Sequence, residues 1–142
     1  MQEHRPELEW KFGGDIVAGE RIGNFVLGRR AADLVKNANI AEYAMRYEVR
    51  VELEGDLLVE ASTSSPRFAT PEGFKVGGDF SEVENAYGPP PERMALEGSE
   101  IFKAAYPDRG IDFLVQDGKV AHVGVFQEIV VEFLTSTADH TR

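Results

Sequence analysis

Acid–base or nucleophilic chemistry in this chain would have to come from three histidines, 25 acidic side chains and the hydroxyl run "ASTSS" at 61–65. A nucleophile triad needs a base beside a Ser or Thr. His4 and His140 lie in terminal tails. His122 lies in an alternating stretch, facing opposite to Val123, where an exposed imidazole could serve as base or ligand and an ordinary strand residue would look the same. "ASTSS" lacks a G-x-S-x-G elbow and reads as a strand end entering a loop. The Gly pairs near Lys in "WKFGGDIVAGERIG" and "FKVGGD" match neither phosphate-loop pattern and read as turns. With no cysteine, thiolate nucleophiles, thiolate metal sites and disulfides are excluded. The acidic turns "EGD", "DRGID" and "QDGK" contain no D-x-D-x-D-G loop, so Asp108 and Asp112 could at most contribute to a weak calcium site. Paired carboxylates can run acid–base chemistry when burial separates their pKa values, but no spacing here selects two of them. No catalytic, cofactor-binding or metal-binding residue is assigned, and the expectation is a protein that is not an enzyme.

The charged side chains least explained by packing belong to one alternating stretch. "YEVRVEL" sets Tyr47, Val49, Val51 and Leu53 on one side and Glu48, Arg50 and Glu52 on the other, as a half-buried strand requires. Arg46, Glu48, Arg50 and Glu52 are therefore the candidate partner-binding face, with Asp112 and Lys119 as further members. Mixed charge on an open face fits protein contact and plain solvation alike.

These residues need a scaffold. "LEWKF" alternates as a short strand, "NFVLG" reads as a strand entering a turn, and Arg30 to Lys36 as a short helix with Ala31, Leu34 and Val35 on one face. "NAN" at 37–39 reads as its stop. "LLVEAST" returns beside "YEVRVEL" as a hairpin. The two prolines of "SSPRFATPEG" (64–73) mark a linker between the halves, over 64–70. "GFKVGG" then reads as a short strand and glycine turn, "FSEVENAYG" as a helix capped by Asp79 or Ser81 and ended at Gly88, and "PPPERMALEGSE" as a proline-led connection. "IFKAAYP" is a strand, "IDFLVQDGKVAHVGVFQ" a hairpin with Asp-Gly at its tip, and "EIVVEFLTST" a last strand over 128–136.

The order repeats. Phe25, Leu27, Gly28, Asp33 and Leu34 answer Phe74, Val76, Gly77, Glu82 and Val83, and "LEGDLLVEA" answers "VQDGKVAHV". The offset grows from 49 at the helices to about 62 at the hairpins because the second half carries the proline-led insertion. This predicts a single domain over 1–142, with one degenerate repeat at about 22–63 and another at about 71–126. The fold class is α+β: an antiparallel sheet with short helices packed on one face.

The chain carries 25 acidic against 15 basic residues, a net charge of −10, which opposes binding to nucleic acid or anionic membrane and favours a basic partner. No stretch approaches the roughly 20 apolar residues of a transmembrane helix. The N-terminus shows no apolar signal core, so the chain as written reads as soluble and cytoplasmic, and as exported if it is a trimmed form of a longer precursor.

The pattern Phe-x-[Leu/Val]-Gly-x-x-x-x-[Asp/Glu]-[Leu/Val], the "AYGPP" after the second helix and "GIDFLVQDGKV" resemble the repeat of the β-lactamase-inhibitor-protein-like fold. The outer-membrane assembly lipoproteins of the BamE (SmpA/OmlA) type share that architecture. Residues 70–126 carry the fuller match, and residues 22–63 lack the Tyr-Gly after the helix. The resemblance implies a protein that acts through surfaces: the inhibitors dock a concave sheet on an enzyme, and the lipoproteins scaffold membrane partners. The inhibitors' disulfides and the lipoproteins' lipidated cysteine have no counterpart here, so neither specific role carries over. The resulting expectation is a non-enzymatic macromolecule-binding domain whose partner is another protein. A small-ligand-binding or sensor domain is the alternative, followed by a small hydrolase or isomerase. Free edge strands could also pair two copies into a homodimer.

Overall fold

The structure, a computed structural model, describes residues 14–34, 39–96 and 100–127. In chain order the elements are β1 (Gly14–Val17), β2 (Arg21–Ile22), β3 (Phe25–Val26), α1 (Ala31–Leu34), α2 (Ile40–Met45), β4 (Val49–Glu54) and β5 (Leu57–Thr63), followed by β6 (Phe68–Ala69), α3 (Phe80–Tyr87), β7 (Glu92–Ala95), β8 (Ile101–Tyr106), β9 (Ile111–Gln116) and β10 (Lys119–Phe126). The class is α+β. A six-stranded, wholly antiparallel sheet runs in the order β4-β5-β10-β9-β8-β7, and a four-stranded sheet runs β3-β2-β1-β6. Among the described residues, no helix is long and apolar enough to cross a membrane.

Strand alternation builds the core. Val49, Ala61, Phe113, Val115, Val123 and Val125 turn to one face of the large sheet and are buried. Helix α3 lays Phe80 and Val83 on that face, with the Phe80 ring 5.7 Å from Phe102 and 5.9 Å from Phe113. Burying one such side chain is worth roughly 1.5–3 kcal/mol. Helix α2 buries Ile40, Tyr43 and Ala44 beside β4. The small sheet adds Ile16, Ile22 and Phe25 to the same core.

The two hairpins share one register. Val49↔Thr63, Arg50↔Ser62, Val51↔Ala61 and Glu52↔Glu60 in the first correspond to Ile111↔Val125, Asp112↔Gly124, Phe113↔Val123 and Leu114↔His122 in the second, every number 62 higher. Both registers slip at matching places, between Glu52 and Leu53 and between Val120 and His122, and both then close on two-residue turns. The segment before each helix docks alike on its hairpin. Gly28 N–H donates to the Leu58 carbonyl and Ala31 N–H to that of Asp56; Gly77 N–H donates to Val120 and Phe80 N–H to Gly118. The β5–β10 pairing joins the hairpins with Ser62 opposite Gly124, and those two residues are themselves 62 apart. A local two-fold axis therefore passes between them.

Several expectations need correction. The anticipated single sheet is accompanied by the small one, in which β6 pairs parallel with β1. That strand lies inside the segment read as a linker, where prolines masked a short run with buried Phe68 and Thr70. The "NAN" read as a helix stop holds a helix start: Asn39 begins α2, its Oδ1 accepting from Ala41 N–H at 2.9 Å and Glu42 N–H at 3.2 Å. Alternation from Tyr47 placed the strand start too early, since Glu48 has φ 63° and β4 begins at Val49. "GFKVGG" forms no strand; it is the docking loop just described. Past its prolines, "PPPERMALEGSE" forms edge strand β7. "LEWKF", the strand at 128–136, His4 and His140 lie outside the described residues, as do Val35 and Lys36 of the first helix.

Candidate functional site

The face of the large sheet turned away from the helices carries the charged side chains. In one row across it stand Arg50, Ser62, Gly124, Asp112, Ala105 and Glu92, each opposite the next. Arg50 and Glu52 are exposed there, as expected. Arg46 and Glu48 are not on this face by strand geometry. Arg46 is the C-cap of α2, and Glu48 sits in the left-handed turn before β4, its carbonyl accepting from Thr63 Oγ1 at 2.7 Å. Lys119 reaches instead to Asp79 at the start of α3.

Asp112 occupies the centre of the row. Its side chain is 14% exposed and lies over Gly124, where a Cβ would come within 2.6 Å of Asp112 Oδ1. Gly124 thus makes the room in which the carboxylate rests. Lys103 Nζ approaches Asp112 Oδ2 at 3.6 Å. Burial raises the Asp112 carboxyl above its ordinary range, and Lys103 pulls it partly back. Glu60 is raised as well, by burial first and then by repulsion from Asp112, with Lys103 opposing and Glu52 adding. His122 is lowered by burial, against the pull of Asp112 and with help from Arg50 and Lys103. The face thus gathers two carboxyl groups that resist ionisation and an imidazole that resists protonation. Such shifted groups mark a candidate site for proton exchange, and among the described residues no group of three or more His, Asp or Glu could hold a metal ion.

Two grooves flank the local axis. One, of about 490 Å³, is lined by Val59, Glu60, Glu92, Met94, Asp112 and Phe126 among others. The other, of about 480 Å³, is lined by Glu48, Arg50, Ser62, Ser64 and His122 among others. Asp112 and Arg50, His122 and Glu60, and Phe126 and Ser64 stand at equivalent places 62 residues apart. The grooves thus share position and differ in chemistry.

Sequence reasoning missed Glu60, Lys103, Met94 and Gly124. For Glu60, the available signal was its place opposite Glu52 across the hairpin. Lys103, Met94 and Gly124 meet Asp112 and Glu60 only through the strand order β5-β10-β9-β8-β7, which no local spacing reveals. In "ASTSS" the hydroxyls of Thr63 and Ser65 are structural, whereas Ser62 and Ser64 line the second groove. Thr63 donates to Glu48, accepts from Ser65 N–H, and Ser65 Oγ accepts from Arg67 N–H. The "AYGPP" residues are structural too: Tyr87 meets Phe74 and Tyr106 edge-on, and Tyr106 Oη donates to the Gly88 carbonyl at 2.8 Å.

Fold and face together define an α+β protein whose large antiparallel sheet, among the described residues, is covered by helices on one side and open on the other. No family model matches the chain, and no curated protein matches it by sequence. Among solved structures it is similar to the uncharacterized protein YfeY from Escherichia coli, with a TM-score of 0.51 and 13% identity over 78% of this chain and 99% of that one. At that identity the likeness concerns the fold alone.

Proposed function

We propose that this is a non-enzymatic protein-binding domain, made of two diverged copies of one helix-and-hairpin unit, whose partner docks on the open face of the large sheet. The observation that carries the reading is the pair of grooves on that face, one on each side of the axis. The 62-residue identity of register supports the duplication, and the resemblance to the inhibitor-like and BamE-like repeat fold agrees with a role exercised through a sheet surface. The reading is tested by placing a photo-crosslinking residue at Ala105 or Leu114 on the open face, and at Glu42 on the helical side, in the native host. Adducts at the first two positions and none at Glu42 are expected; adducts at Glu42 alone overturn it.

A small-molecule ligand is the second reading. It is favoured by the groove volume of about 490 Å³, which lies within the roughly 300–1,000 Å³ typical of ligand pockets. A thermal shift with a metabolite panel, abolished by Ala105→Trp, would move the assignment to this class.

A further inference from the structure

Resting on the protein-binding reading, we infer that the groove beside β7 receives a lysine or arginine side chain from an extended basic segment of the partner. Four carboxylates line the groove, those of Glu54, Glu60, Glu92 and Asp112. Two basic residues also line it. Lys103 is engaged by Asp112. Arg93 turns its guanidinium to the helical side, 3.8 Å above the Phe102 ring and 3.9 Å from Glu84. Among the described residues no cation forms an ion pair with Glu54, Glu60 or Glu92. The groove therefore holds an excess of negative charge in a partly desolvated place, which a cation from outside would neutralise.

The rest of its lining suits such a side chain. Val59, Ala105, Phe126 and Met94, the last 59% exposed, offer apolar surface beside the carboxylates. Lysine and arginine have an apolar stem and a charged tip, and so bury the stem on apolar surface while the head meets an acid. The twin groove lacks this character: where the first has Asp112 and Glu60, it has Arg50 and His122. Net charge on the whole chain, −10, steers a basic segment inward before contact.

The test titrates the full-length, isotope-labelled chain with a blocked peptide of alternating lysine and valine, and with its glutamate–valine counterpart, by amide chemical shifts. The lysine peptide is expected to shift the amides of Glu60, Ala105 and Asp112 in a salt-sensitive way. Its affinity should fall at least tenfold in the Glu60→Gln/Glu92→Gln double variant and stay unchanged in Glu82→Gln, an exposed acid on α3. Circular dichroism confirms that the variants fold. Equal binding of both peptides overturns the inference, and so does lysine-peptide binding that the double variant leaves intact. If Ala105 still crosslinks the partner while the double variant binds it as tightly as the parent does, the open-face reading survives and the cation inference fails. If crosslinks move to Glu42, the face itself is wrong.

Discussion

Asp112 shows how one residue ties backbone economy to electrostatics. It lies where Gly124 has no side chain, and burial holds its carboxyl above 3.8. A carboxyl raised in the folded state contributes stability that is full below its unfolded pKa and is lost as pH rises through the folded one. For Asp112 that window opens upward from 3.8, and for Glu60 from 4.5. His122, lowered from 6.5, acts oppositely: its contribution is present above 6.5 and is lost as pH falls through its folded value. Asp112→Asn should therefore gain stability relative to the parent as pH rises from the ordinary carboxylate range toward neutrality. Melting temperatures of both proteins across that range check this, and parallel curves would contradict it. Tyr106 offers a second residue-level case. It is 3% exposed, and its hydroxyl donates to the Gly88 carbonyl at the end of α3. Tyr106→Phe should cost about 1–2 kcal/mol in denaturant unfolding, because it leaves that carbonyl without its donor.

At the scale of elements, the hairpins share a register yet use different turns. Gly55 has φ 62° with Asp56 following, whereas Asp117 and Gly118 both have positive φ, 54° and 79°. These are the Gly-first and Asp-Gly solutions to the same two-residue closure. Exchanging the first for the second by Gly55→Asp with Asp56→Gly should change stability by less than about 1 kcal/mol, since Asp-Gly supports the same two-residue connection. A shift of hairpin register in the amide spectra would refute the equivalence. The connection before β9 is less tolerant. Gly110 has φ 75°, and a Cβ there would stand 2.5 Å from the Phe126 carbonyl oxygen and 2.6 Å from the Gly19 Cα. All the crowding atoms are backbone, so Gly110→Ala should cost at least about 3 kcal/mol and loosen the small sheet from the large one. Urea unfolding measures it.

Over the whole molecule, the two-fold relation separates architecture from chemistry. Equivalent places hold the same backbone and different charges: Asp112 stands where Arg50 does, and His122 where Glu60 does. The proposed partner would meet a lining richer in acid on one side of the axis and a mixed basic and hydroxyl lining on the other. Reversing charge at Arg50 and Glu52, both exposed, should weaken the partner while lowering stability by less than about 1 kcal/mol. A quantitative pull-down with unchanged yield would remove β4 from the contact surface.

The sequence by itself determined the strands whose faces alternate, both hairpins with their glycine tips, helix α3 with its Gly88 end, and the offsets of 49 and 62. Period-two hydrophobicity and turn chemistry are local, so they are legible without the fold. Only the tertiary structure decided that β10 lies between β5 and β9, that β6 joins β1, and that Gly124 opens the place Asp112 occupies. It also decided that Arg46 caps α2 and that Glu48 lies in the turn before β4, while Arg50 and Glu52 lie on the strand itself. Strand order, and with it which charges share a groove, depends on pairings between residues up to 66 apart, a separation across which no local propensity acts.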